Sequence, residues 1–327
     1  MSNAGHAETG EDVARPLVSV IIPTHDRRHL LGTAIESVLA QEPIGGRIEL
    51  IVVDDASSDG SAEVVARYPA AKYLRSEARN VSAARNAGIA AARGDWLAFL
   101  DDDDAWLPHK LRRTLAAAAD DPGARVVMSA AYSCNATLEP SYVWRPPAEK
   151  RRGGMYQGFL ENVMTPSAIV VHKSVFETIG LFDESAYRSE DRELCLRAAR
   201  AGLRFLVLDE PLVFYRRPTR IDGDQLVATF RATLALLRRE FAERHPDQPS
   251  LWQCKAYEFN LRRWYAKALL EGSREQKLDG NAAEASRFDR LALAVSPLHW
   301  TYHRLLRRRR AARQAATEPS AAVNVFK

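Results

Sequence analysis

Four consecutive aspartates, Asp101 to Asp104, directly follow the apolar run Trp96–Leu100. Five apolar residues in a row predict a buried strand, so the carboxylates lie at the C-terminal end of that strand. In open α/β sheets this edge is where ligands bind. Adjacent like charges repel each other, and carboxylate oxygens are the ligands that Mg²⁺ and Mn²⁺ prefer beside a substrate phosphate. The run therefore predicts a site for a divalent cation and a diphosphate.

Three further polar clusters stand at the ends of predicted elements. They are Pro23-Thr24-His25-Asp26, Asp54-Asp55-Ala56-Ser57 and Glu190-Asp191. Parallel strands place their carboxyl ends at one edge of a sheet, so we expect these clusters to share a site with the aspartate run. Taken singly, each has a simpler explanation, because such residues also cap helices or favour a helix N-terminus. For Asp104 the simpler explanation is a cap for a helix that starts near Leu107.

Short apolar strands alternate with helical patterns from Leu17 onward, which predicts an α/β fold. We expect a mostly parallel sheet with helices on both faces. The segment 134–165 is rich in proline and glycine and is predicted to be a long irregular loop. The predicted strands are Leu17–Ile22, Leu50–Val53, a short one near Tyr73, Trp96–Leu100, Arg125–Ser129, Ala168–Val171 and Phe205–Leu208.

The chain is predicted to have three parts: residues 1–16, a catalytic domain over 17–221, and a helical region over 222–327. The first part is expected to be disordered, and Ser2-Asn3-Ala4 is typical of a tag-cleavage scar. The helical patterns of the last part are Leu226–Arg244, Trp252–Leu270 and Ala282–Ala294, followed by a helical tail from about His299. Within them Trp252, Trp264 and Tyr265 are expected to be core residues.

Composition narrows the class of protein. The 327 residues are 46% hydrophobic and 27% charged, with a net charge of +4, which is typical of a globular protein and does not suggest a nucleic-acid binder. Three scattered cysteines favour a reducing compartment, and we expect a cytoplasmic protein. Arginines crowd the C-terminus, which indicates either peripheral contact with anionic lipid or a solvated basic tail. They are Arg304, Arg307, Arg308, Arg309, Arg310 and Arg313.

As a set, the motifs resemble those of family 2 glycosyltransferases, which are inverting enzymes of the GT-A fold. The resemblance implies a Rossmann-like, mostly parallel sheet with helices on both faces. The resemblance covers roughly residues 17–217. The matching segments, in the family's order, are VSVIIPTHDR, IVVDDASSDGS, NVSAARNAGIAAARGDWLAFLDDDDAWLP, IGLFDES and SEDRELCLRAARAG.

This resemblance implies a role for each acidic position. Asp55 is expected to accept a hydrogen bond from the nucleotide base, and Asp102 to hold the ribose. Asp103, with Asp101 in the family's DxD motif, is expected to bind Mg²⁺ or Mn²⁺. Asp191 is the expected general base, which takes the proton of the attacking acceptor hydroxyl.

Basic and neutral residues complete the predicted site. Pro23, Thr24 and His25 are expected to form the other wall of the base pocket. Arg85 is expected to contact a phosphate or the acceptor, although a position on a solvated helix face suits it equally. Where many relatives carry a histidine after the last strand, this chain has Arg216 and Arg217. Arg216, or alternatively Arg217, is predicted to bind the diphosphate as a fixed cation.

The resemblance implies a nucleotide-sugar donor, most often a UDP-sugar in this family, and a glycan, glycolipid or glycoprotein acceptor. A homo-oligomer is also compatible with the helical region. The sequence leaves two alternatives open. One is a non-catalytic sugar-nucleotide binder or scaffold, and the other is a nucleotidyltransferase, which would need a lysine-bearing glycine-rich loop after the first strand.

Overall fold

A computed structural model of the chain describes residues 18–147, 154–162, 164–217, 220, 222–243 and 248–305. The chain divides into two compact units, residues 1–217 and 218–327. The predicted N-terminal part and most of the arginine-rich tail lie outside the described residues. In the described ranges no helix is long and apolar enough to cross a membrane.

In the first unit the described residues form one nine-stranded sheet, in the order β3-β2-β1-β4-β8-β6-β9-β5, with β7 paired to β6. The strands are β1 (Val18–Thr24), β2 (Ile48–Asp55), β3 (Ala71–Ser76), β4 (Trp96–Phe99), β5 (Ala105–Trp106), β6 (Val126–Cys134), β7 (Pro140–Trp144), β8 (Ile169–His172) and β9 (Phe205–Arg216). The helices are α1 (Arg28–Leu39), α2 (Ser61–Val65), α3 (Val81–Ala91), α4 (Lys110–Asp120), α5 (Gly154–Glu161), α6 (Ser174–Ile179) and α7 (Glu190–Arg200).

The sheet confirms the α/β prediction, and its pairing is mixed. The half that contains β1 to β4 is parallel, as the alternating pattern indicates. In the other half β8 lies between β4 and β6 and runs antiparallel to both. Every residue of β1 is buried, as expected for a central strand covered on both faces.

Two segments differ from the sequence predictions. The segment 134–165 is not wholly irregular, because it contains β7 and α5. The last strand does not end at Leu208, since β9 continues to Arg216. The strand passes Pro211 where its register with β6 shifts beside Ala130, and such an irregularity accommodates a residue that lacks a backbone N–H.

Close packing of β1 against the end of α3 requires Gly94. A Cβ at this position would stand 2.5 Å from the backbone nitrogen of Ser19. The Gly94 N–H donates to the Ser19 hydroxyl over 2.9 Å, which holds the turn before β4 against β1. Since β4 leads directly into the aspartate run, this contact fixes the level at which that run leaves the sheet.

The described residues of the second unit form three long helices, α8 (Gly223–Ala242), α9 (Leu251–Leu278) and α10 (Ala282–Val295). Asp222 caps α8, and Ser250 and Gln253 form a capping box at the start of α9. Tyr265 packs in the core beside Phe230, as predicted. The same prediction is wrong for Trp252 and Trp264, which are exposed.

Candidate functional site

The aspartate run leaves β4 at the centre of the sheet, where its four carboxylates have different surroundings. Asp104 is buried and accepts hydrogen bonds from the Ser167 hydroxyl over 2.6 Å and the Arg216 N–H over 2.9 Å. The suggestion that Asp104 caps a helix is wrong, because α4 begins later, at Lys110, without a side-chain cap. Asp104 instead joins the run to β9 and to the residues that precede β8.

Asp102 is held from the β1 side. Its carboxylate accepts a hydrogen bond from the Thr24 hydroxyl over 2.7 Å and pairs with the Arg27 guanidinium over 3.1 Å. Burial raises the pKa of Asp102 to about 6, in spite of the Arg27 charge. The end of β1 and the start of α1 therefore fix this carboxylate.

Asp101 and Asp103 are the carboxylates of the run that reach solvent, with side chains 25% and 27% exposed. Asp101 pairs with Arg85 over 2.7 Å and accepts a hydrogen bond from the Thr165 hydroxyl over 3.2 Å. Asp103 pairs with Arg27 over 2.5 Å. Burial raises the pKa of Asp103 above its usual value although Arg27 opposes the shift. Among the described residues the four carboxylates of the run have two guanidinium partners between them, those of Arg27 and Arg85, and Arg85 is shared with Glu190. Negative charge is therefore in excess.

These residues fit a divalent cation. The carboxylates of Asp101 and Asp103 offer hard oxygen atoms on the open side of an under-neutralised acidic cluster. Across the described ranges no group of three or more histidine, cysteine or acidic side chains is arranged to hold a metal by itself. Mg²⁺ is commonly bound through one or two carboxylates together with water and substrate phosphates, and two carboxylates meet that requirement.

Arg85 joins the aspartate run to the start of α7. It lies on α3, whose N-terminus is capped by Asn80, and its side chain is only 3% exposed. One guanidinium nitrogen pairs with Asp101 and another with Glu190 over 3.1 Å. The predicted phosphate contact of Arg85 stays a prediction, since in this structure the side chain is buried between two carboxylates.

Asn86, the neighbour of Arg85, holds the loop that leads to α7 through side-chain hydrogen bonds. Its side-chain amide donates to the Phe182 carbonyl over 3.1 Å and to the Glu184 carboxylate over 3.0 Å. The side-chain carbonyl of Asn86 accepts a hydrogen bond from the Phe182 N–H over 3.0 Å. The sequence motif that contains Arg85 and Asn86 therefore positions residues almost a hundred positions further along the chain.

Asp191 stands in the first turn of α7, beside Glu190. Its carboxylate accepts a hydrogen bond from the Arg192 N–H over 2.6 Å. The Arg192 guanidinium is directed to the carbonyls of Phe159 and Leu160 at the end of α5. Loss of water around the carboxylate, together with the Glu190 charge, raises the pKa of Asp191 to about 7. A carboxyl group with this pKa changes its charge near neutral pH, as a general base must.

The predicted base pocket lies at the ends of β1 and β2. Pro23 of β1 lies opposite Val53 of β2 in the parallel strand pair. The Nδ1 atom of the His25 ring forms a hydrogen bond with the Asp55 backbone carbonyl over 2.6 Å. The Asp55 carboxylate accepts from the Ser76 hydroxyl over 3.0 Å and the Arg79 N–H over 2.9 Å. The structure therefore brings Pro23, His25 and Asp55 together, and their contact with a nucleotide stays a prediction.

Arg216 fastens the end of β9 to the aspartate run. Its side chain donates to the Asp103 carbonyl over 2.7 Å and to the Ala136 carbonyl. Its predicted contact with a diphosphate stays a prediction. The preceding residue, Tyr215, is half-buried, and burial together with the charges of Asp104, Asp103, Asp101 and Asp191 raises its pKa.

Three contributors to this site were missed by the sequence predictions: Arg27, Thr165 and Ser167. Arg27 follows the cluster at the end of β1, and an arginine beside an acidic site was a signal for it. Thr165 and Ser167 precede β8, and no local pattern marks them, since their partners lie more than sixty residues away.

The family model for glycosyl transferase family 2 matches residues 19–180. A relative is the amylovoran biosynthesis glycosyltransferase AmsB of Erwinia amylovora, 29% identical over 82% of this chain and 87% of that protein. Another is the succinoglycan biosynthesis protein ExoO of Rhizobium meliloti, 40% identical over 35% of this chain and 32% of that protein.

Solved structures show the same fold. Residues 1–349 of TarS from S. aureus align over 89% of this chain and 91% of that chain, with a TM-score of 0.57 and 17% identity. A mannosyltransferase from Pyrobaculum calidifontis, solved with GDP-Man and Mn²⁺, aligns over 94% of this chain and 82% of that chain, with a TM-score of 0.57 and 19% identity. The family match and the similar glycosyltransferase identify this chain as a glycosyltransferase whose residues 19–180 form a glycosyl transferase family 2 domain.

Proposed function

We propose that the enzyme transfers a sugar from a nucleotide-diphosphate donor, a UDP-sugar, to a hydroxyl of a glycan, glycolipid or glycoprotein, with inversion at the anomeric carbon. The donor class is supported by the similar fold of TarS, which has been solved with UDP-GlcNAc, and of the mannosyltransferase solved with GDP-Man. The similarity to the amylovoran biosynthesis glycosyltransferase supports a polysaccharide as the acceptor.

The observation that carries this proposal is the link between the aspartate run and α7. Arg85 contacts Asp101 on one side and Glu190 on the other, and Asp191 is the next residue. A cluster suited to a leaving diphosphate and a carboxylate with a pKa of about 7 therefore belong to one site. An inverting transfer needs both, at opposite sides of the sugar.

The proposed reaction is a single displacement. The acceptor oxygen forms a bond to the anomeric carbon while the bond from that carbon to the donor phosphate oxygen breaks. Asp191 takes the acceptor hydroxyl proton as the new bond forms, and the nucleoside diphosphate leaves with the electron pair of the broken bond. One carboxylate suffices, in contrast to the carboxyl pair of glycosidases. Mg²⁺ or Mn²⁺, held by Asp103 and Asp101 when bound, supplies positive charge that stabilises the diphosphate.

On the nucleotide side, Asp55 accepts a hydrogen bond from the base and Asp102 binds the ribose in this proposal. Pro23, Thr24 and His25 form the other wall of the pocket. Arg85 acts on the diphosphate indirectly, by holding the carboxylates of Asp101 and Glu190. Arg216 acts through the Asp103 and Ala136 carbonyls, to which it donates hydrogen bonds. If its side chain leaves the Ala136 carbonyl, Arg216 contacts the diphosphate directly.

The proposal is tested by thermal unfolding with UDP-, GDP-, dTDP- and CDP-sugars, each with and without Mn²⁺. A ligand that binds only the native state raises the melting temperature. We expect a rise with the UDP-sugar that requires Mn²⁺. An equal rise without Mn²⁺ contradicts the metal assignment, and no rise with any of the four sugars contradicts the proposed donor.

A further inference from the structure

An aromatic group that takes no part in the proposed reaction stands on the β6–β7–β9 side of the sheet. Ser133 of β6 pairs with Tyr142 of β7 on one side and with Tyr215 of β9 on the other. Residues directly opposite each other on paired strands project to the same face. Trp144 lies two residues beyond Tyr142 and therefore shares that face.

The contacts within this group leave part of it open to solvent. The rings of Trp144 and Tyr215 meet edge to face, with centroids 5.2 Å apart. Tyr142 is 53% exposed, and the Arg217 guanidinium lies 5.8 Å from its ring centroid. Between the two tyrosines the Ser133 hydroxyl is buried and forms no hydrogen bond within the described residues. The result is a half-open aromatic surface with a cation at its rim.

The position of this surface relative to the acidic site is fixed by Arg216. The residue after Tyr215 donates its N–H to Asp104 and its guanidinium to the Asp103 carbonyl. Burial, together with the charges of Asp104, Asp103, Asp101 and Asp191, raises the pKa of Tyr215, so the Tyr215 end of the aromatic surface lies beside the aspartate run on the β9 side. The predicted base pocket adjoins the same run from the opposite side, at β1 and β2, because β4, β8 and β6 lie between.

An in-line displacement places the incoming hydroxyl opposite the departing diphosphate. A donor whose nucleotide occupies the β1–β2 side therefore leaves the β6–β9 side for the acceptor. Aromatic rings bury the apolar face of a pyranose, and an exposed guanidinium pairs well with a carboxylate or phosphate.

We propose that Tyr142, Trp144 and Tyr215 form the surface on which the acceptor's terminal pyranose packs, and that Arg217 binds a carboxylate or phosphate on that sugar. This inference rests on the proposed function, since it needs a nucleotide sugar at the β1–β2 side. It names the acceptor as an anionic sugar and makes these four side chains determinants of acceptor specificity.

The test uses saturation-transfer NMR on the full chain loaded with UDP and Mg²⁺. The probes are the methyl gluco-, galacto- and mannopyranosides, the corresponding uronates, and the corresponding 6-phosphates. We expect at least one uronate or 6-phosphate to bind more tightly than its neutral counterpart. Trp144→Ala is expected to weaken this binding about tenfold. Arg217→Gln is expected to remove the preference for the anionic probe while binding of the neutral sugar persists.

Two further variants keep the result decisive. Trp252→Ala removes an indole that is 81% exposed in the second unit, and it should leave probe binding unchanged. Tyr142→Ala alters an exposed side chain and should weaken probe binding even if Trp144→Ala does not fold. The uronate and phosphate arms distinguish the two sources of the negative charge.

The possible outcomes distinguish a failure of the proposed acceptor surface from a failure of the proposed function. If UDP binds but none of the nine probes does, or if probes bind wild type, Trp144→Ala and Tyr142→Ala equally, the acceptor surface is wrong and the donor site stands. Neutral probes that bind more tightly than every anionic one contradict the role of Arg217. If UDP itself fails to bind, the proposed function is wrong and the inference falls with it.

Discussion

The ionisation of Asp191 should set the pH dependence of transfer. Its pKa is raised from 3.8 to about 7 by loss of water and by the Glu190 charge. With that pKa the reactive carboxylate makes up about one tenth of the enzyme at pH 6 and about nine tenths at pH 8. We therefore expect kcat/KM for the acceptor to rise about tenfold per pH unit below pH 6 and to level off above pH 8.

The assay is release of nucleoside diphosphate with a saturating donor, measured across this pH range for wild type and Asp191→Asn. Asp191→Asn cannot accept the proton, so transfer should fall by about 10²- to 10⁴-fold at pH 8 while nucleotide binding persists. Asp209→Asn makes the same chemical change at an exposed position and should leave the profile unchanged. A rate that is already maximal at pH 5, or an Asp191→Asn enzyme with normal turnover, would refute the assignment.

The same shift predicts a change in stability. A raised pKa in the folded state means that stability is lost as the pH rises from about 4, where the unfolded carboxyl ionises, to about 7. Above this window Asp191→Asn should be more stable than wild type by about 1–3 kcal/mol in urea unfolding, and near pH 4 the difference should vanish. A difference that is constant over this range would contradict the raised pKa.

Three further predictions concern the surroundings of the site. Arg85→Met leaves Asp101 and Glu190 without their shared cation, and urea unfolding should show a loss of about 3–5 kcal/mol. Gly94→Ala places a Cβ against the Ser19 backbone, which cannot move aside, and the melting temperature should fall by an amount equivalent to about 1–3 kcal/mol. The control is Gly45→Ala, at a turn with open space around it, which should change stability only through the positive φ of that position. Asp103→Asn should remove the Mn²⁺-dependent part of nucleotide binding in calorimetry and keep the melting temperature of the free protein within a few degrees, while unchanged metal dependence would exclude Asp103 as a ligand.

Much of the first half of the fold was predictable because its signals are local. The apolar runs that become β1, β2 and β4, with the polar residues directly after them, occur within stretches of ten residues or fewer. Parallel strands then bring those residues to one edge by a general rule of such sheets. The second half was less predictable, since β8 pairs antiparallel with strands that are distant in sequence and β9 continues through a proline.

The residue types at the site, the family and the order of the acidic motifs were determined by the sequence alone, since each is a property of short segments. The tertiary structure decided which carboxylates pair with an arginine, which are exposed to solvent and which are buried away from water. Arg85 reaches Glu190 across 105 positions, and Ser167 reaches Asp104 across 63. Burial and charge at a carboxylate depend on such distant neighbours, so the raised pKa of Asp191 exists only in the folded chain.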